Sequence, residues 1–108
     1  MGDFNDYLKT LEDGIKNLAE KMLKEFKDEA LKDSKKFLKK TEEDLKRWTK
    51  LLASGELTLD DFEWLVIGKK DLAELHFLKR KGLSLVRIDR FRNSLIDLII
   101  DTALDLFL

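Results

Sequence analysis

Apolar residues recur every eleven positions through the first half of the chain. Phe4, Ile15, Phe26, Phe37 and Trp48 form one series, and Leu8, Ala19, Ala30, Thr41 and Leu52 form a second, four residues later. Eleven residues make three turns at about 3.67 residues per turn, close to the natural 3.6 of a straight helix. A single stripe can therefore persist along one face, and the pattern predicts a long amphipathic helix across residues 1–53. Drawn out in full it would run about 75 Å at 1.5 Å per residue. A globule of this size has a radius of gyration of about 13 Å. The helix must then either fold back or bury its stripe against another chain. The start signals at Asp33-Ser34 and Thr41-Glu42-Glu43-Asp44 mark 34–41 as the place for a break. Neither site has Gly or Pro, which favours the continuous helix. Gly14 interrupts the stripe at a cost of about 1 kcal/mol against Ala, so close packing or a frayed first turn is the expected reason for it.

The stripe ends at a turn. In Ala53-Ser54-Gly55-Glu56-Leu57-Thr58-Leu59-Asp60-Asp61-Phe62, Gly55 fits the left-handed position just past a helix end. Thr58 fits the N-cap, with Asp60 and Asp61 in the first turn that follows. Leu57 and Phe62 have the spacing of a hydrophobic staple. The turn covers 54–58, and the apolar positions predict a second helix over 59–81, with a break at Gly68 and a fresh start at Asp71. Lys79-Arg80-Lys81-Gly82 closes it with cations and a glycine. A turn at 82–84 leads to Ser84 as the cap of the last helix, 85–108. That helix is apolar around most of its circumference, with Asp97, Asp101 and Asp105 as its polar stripe. Such a helix belongs at the centre of a bundle or an oligomer interface.

Locally, Leu51–Phe62 resembles the helix–turn–helix signature of short bacterial C-terminal oligomerisation modules, which read roughly Leu-x-x-x-Gly-x-Ile-Thr-x-Glu-Glu-Phe. The resemblance is confined to that turn.

Composition supports the helical reading. There is no Pro, and 40% of residues are charged, which together with the periodicity gives an all-α fold: a single helical domain over 1–108, bundle-like or coiled-coil, completed by oligomerisation. With no Cys, disulfides and thiolate chemistry are excluded. The acidic N-terminus lacks the basic, apolar make-up of a signal peptide, so a cytoplasmic location is expected. Net charge is −1, but unevenly distributed. Residues 54–78 hold six acids and two bases, whereas 79–92 hold six bases and one acid.

Little in the sequence suggests catalysis. His76 is the sole histidine, without a nucleophile or partner acid in a recognisable motif. The three aspartates of the last helix lack the Glu-x-x-His companions of a metal-binding bundle, and a solvated stripe is expected. No enzyme activity, cofactor or metal is expected. Two surfaces remain. An interaction surface is expected from Phe26, Phe37, Trp48, Trp64, Phe91, Leu95 and Ile99, with a homo-oligomer as its product or a protein as partner. An anion-binding surface is the alternative, built from Lys79, Arg80, Lys81, Arg87, Arg90 and Arg92, for nucleic acid or an acidic membrane. The pI of about 5.9 argues against a dedicated nucleic-acid binder. The last helix has no 18-residue uncharged run, so peripheral contact is the only membrane role in view.

Overall fold

The computed structural model describes residues 3–69 and 75–108. Among these the fold is all-α, with no strand. Helix α1 spans Phe4–Met22, α2 Lys27–Ser54, α3 Leu59–Ile67, α4 His76–Arg80 and α5 Leu85–Phe107. A 3-10 turn, Lys24–Phe26, joins α1 to α2.

That turn corrects the expectation of one long N-terminal helix. The chain leaves helical geometry at Leu23 (φ −136°, ψ 48°) and again at Phe26 (φ −117°, ψ 23°). Both angles are open to any L-residue, so the reversal needs no Gly. Burial supplies the reason for it. Leu23 is almost fully buried in the corner, and Phe26 packs against the core. At 34–41, the place marked for a break, α2 runs straight through, as the absence of Gly and Pro favours. Asp33, Ser34 and Thr41 are all buried on α2. The stripe itself survives the reversal. Ile15, Ala19, Ala30, Phe37, Thr41, Trp48 and Leu52 are buried, and Phe4, Leu8 and Phe26 half-buried. Folding back lets its two halves face one core. The molecule measures 42 × 23 × 19 Å with a radius of gyration of 13.6 Å. Its long dimension matches the ~42 Å expected of a 28-residue helix.

α5 lies antiparallel to α1 and closes the core. The Tyr7 hydroxyl donates to the Ile99 carbonyl at 2.9 Å, and the Tyr7 ring meets Phe107 edge-on at 5.5 Å. Burial holds the Tyr7 phenol protonated well beyond its ordinary range. At Gly14 an added Cβ would come 2.7 Å from a Leu98 methyl carbon. The two helices thus approach closely at the one place where α1 has no side chain. At the far end, the Arg87 guanidinium donates to the Met22 carbonyl at 3.3 Å.

The turn after α2 follows its chemistry. Gly55 is left-handed at φ 82°, and the Thr58 hydroxyl accepts from the Asp61 N–H at 3.1 Å. Phe62 is fully buried, with Leu57 packed against the same core. α3 ends at Gly68, whose φ of −71° shows that no left-handed residue is used there. The expected restart at Asp71 lies outside the described residues. α4 begins at His76, and Ser84 caps α5 by accepting from the Arg87 N–H at 3.3 Å.

Candidate interaction surface

Most of the apolar residues expected at an interface lie inside the single chain. Phe37, Phe91, Leu95 and Ile99 are fully buried, and Trp48 nearly so. Their contacts are satisfied by the chain's own helices, which corrects the expectation that they form a surface. Phe26 is half-buried beneath the Arg87 guanidinium, 5.7 Å from the ring centre.

The two tryptophans differ. Trp48 stands edge-on to Phe62 at 6.4 Å, with the Lys69 ammonium 5.2 Å from its ring centre. Lys69 also pairs with Asp44, which Arg47 contacts at 2.8 Å. The hydrogen bond from Lys69, more than any other contact, holds the Asp44 carboxyl below its usual range. Trp64, in contrast, is 76% exposed. Leu65 and Ile67 on the same helix are also exposed. Asp60, Trp64 and Ile67 fall at i, i+4 and i+7, on one face turned away from the buried Phe62 and Val66. Asp61 and Glu63 are exposed beside them. α3 therefore presents an apolar surface framed by acids.

The basic cluster is divided. Arg87 turns inward to Met22 and Phe26, and Arg92 pairs with Asp89 at 2.7 Å. Lys79, Arg80, Lys81 and Arg90 are exposed and form no ion pair among the described residues. Leu85 and Val86, 67% and 61% exposed, lie with them. None of the four cations pairs with an acid of α3 among the described residues. Phe62 of α3 meets α2 at Trp48, whereas α4 meets it at Asp33. Asp33 and Trp48 are fifteen residues apart on one straight helix, about 22 Å.

Sequence reasoning missed the role of Asp33. It is 4% exposed on α2. Its two carboxylate oxygens accept from the N–H groups of Phe77 and Leu78, each at 2.9 Å. A residue on one helix thus caps the start of another, 44 residues on. α4 needs this, because its N-cap position is Leu75, at φ 40° and without a capping side chain. The available signal was a carboxylate on the apolar face, between Ala30 and Phe37 at i−3 and i+4.

An open groove of about 480 Å³ runs along the outer side of the α1–α2 pair, between Leu8, Ile15, Leu31 and Leu38. The Ser34 hydroxyl, which has no hydrogen-bond partner among the described residues, lies at its wall. Lys16, Lys35, Lys39, Glu12 and Glu42 mix both signs around it. Asp97, Asp101 and Asp105 are exposed along α5. Among the described residues no group of three or more His, Cys, Asp or Glu is arranged to hold a metal ion, and no helix is long and apolar enough to cross a membrane.

No protein-family model matches the chain, and searches of curated proteins and of solved structures give no significant match. The resemblance at Leu51–Phe62 therefore extends no further than the turn.

Proposed function

We propose that the protein is a non-enzymatic helical interaction module that self-associates and serves as a scaffold or adaptor. The observation that carries this reading is the exposure of Trp64 at 76%, with Leu65 and Ile67 beside it. An aromatic side chain of this size gains substantially from leaving water, and tryptophan is among the residues that anchor interfaces. Phe37, Phe62 and Phe91 are fully buried in the single chain without it, which favours reading the α3 surface as a contact face of its own.

The test is molar mass by light scattering over a range of concentrations. Wild-type mass rising above 12.7 kDa with concentration, and Trp64→Ala holding at the monomer value, is the expected result. A wild-type monomer at every concentration would remove the reading.

The second reading, binding of anions through the basic cluster, is favoured by the exposure of Lys79, Arg80, Lys81 and Arg90. It is the narrower one, because Arg87 and Arg92 already have partners within the chain. Salt-sensitive binding to nucleic acid or anionic vesicles, lost on replacing Arg80 and Arg90 together, would support it.

A further inference from the structure

Two exposed apolar surfaces of opposite charge lie on different halves of the molecule. The first is the α3 face: Trp64, Leu65 and Ile67 with Asp60, Asp61 and Glu63. The second lies where α4 turns into α5. There Leu85 and Val86 are exposed, with Lys79, Arg80 and Lys81 preceding them along the chain and Arg90 one turn after Val86. Each surface couples large apolar side chains to an excess of one sign of charge; on the basic side Asp89, one turn after Leu85, is exposed as well and pairs with Arg92 at 2.7 Å. The acids of α3 and the four cations form no ion pair among the described residues. Lys69, just past α3, is engaged by Asp44 and Trp48; Lys70 lies outside the described residues.

Phe62 of α3 and the start of α4 meet α2 at Trp48 and Asp33, fifteen residues or about 22 Å apart along that helix, and no ion pair joins the two surfaces among the described residues. A second copy can bring them together, since the acidic face of one molecule matches the basic face of the next in both polarity and charge.

We propose that copies of this chain associate head to tail, with the acidic α3 face of one on the basic α4–α5 face of another. This rests on the self-association reading above and specifies its geometry. The contact is heterologous: each molecule uses two different surfaces, and each added copy leaves one of each kind open. Such a contact builds rings where its rotation closes and open chains where it does not. An isologous dimer through α3 would instead bring Asp60, Asp61 and Glu63 against their own copies, like charge on like charge.

The geometry can be tested by complementation. Glu63→Lys with Trp64→Ala disables the acidic face and leaves the basic one. Val86→Ser with Arg90→Glu does the reverse. All four positions are exposed, and helicity by circular dichroism verifies that each variant is folded. Should either double variant lose helicity, Trp64→Ala and Arg90→Gln are mixed in its place.

Wild type is expected to give masses beyond a dimer, falling back toward 12.7 kDa in about 1 M salt, where the screening length is about 3 Å. Each variant alone is expected to be a monomer. Their equimolar mixture is expected to recover a species of twice the monomer mass and stop there, because that pair has one intact contact and no second. If wild type associates but the mixture stays monomeric, or if either variant alone associates as wild type does, the head-to-tail geometry is wrong and self-association stands. If wild type is monomeric throughout, both fall.

Discussion

Trp48 and Trp64 flank the same turn and meet opposite environments. Trp48 belongs to the body formed by α1, α2 and α5, where it packs on Phe62 beneath Lys69. Trp64 projects from α3 into solvent. The contrast holds for the regions around them. In the body, the eleven-residue stripe and the broad apolar face of α5 bury one another. On α3 and the first turn of α5, apolar side chains are exposed beside buried ones: Trp64, Leu65, Ile67, Leu85 and Val86. A helix apolar nearly all round belonged at the centre of a bundle or at an oligomer interface, and α1, α2 and α3 all pack against α5. Among the described residues the large apolar side chains that remain exposed lie on α3, in the first turn of α5 and, as Leu104 and Leu108, at its end. Apolar content alone therefore pointed mostly to residues that the single chain encloses.

This division predicts a gradient of effects. Phe37→Ala, in the fully buried body, is expected to cost about 3–5 kcal/mol and to lower the melting temperature sharply. A loss under 1 kcal/mol in denaturant titration would mean that the body is not the stable unit. Asp33→Ala strips two buried N–H groups of their acceptor and leaves α4 uncapped. The expected cost is about 1–3 kcal/mol, with faster hydrogen exchange at Phe77 and Leu78 than in α2. Unchanged protection at those two amides would show that α4 does not depend on Asp33. Thr58→Ala removes the local cap of α3 and is expected to cost about 1 kcal/mol; association should be retained, as measured by light scattering at a temperature where the variant is fully folded. Trp64→Ala is expected to alter stability by no more than about 0.5 kcal/mol while abolishing association. A large destabilisation there would move Trp64 into the body and erase the contrast.

Features that depend on neighbours along the chain were legible in the sequence. Gly55 with Thr58, and Gly82 with Ser84, mark turns by local capping chemistry, and both adopt it. The ten-residue stripe named the inner face of α1 and α2, and Gly14 marked a close approach, to Leu98. The reversal at Leu23–Phe26 was not legible. It uses ordinary negative φ angles, and burial of Leu23, which only the folded chain provides, stabilises it. Asp33 was similarly hidden, since its partners lie 44 and 45 residues away. The candidate interaction residues followed the same rule. Hydrophobicity identified Phe37, Phe91, Leu95 and Ile99 as apolar, but only the packing shows that they are enclosed while Trp64 is not.

The most direct measurement is sedimentation velocity on wild type and Trp64→Ala side by side, from low to high micromolar concentration. The expected result is a wild-type sedimentation coefficient that climbs with concentration and a variant that remains at the 12.7 kDa monomer, both equally helical. Two identical, concentration-independent monomer boundaries would contradict self-association through α3.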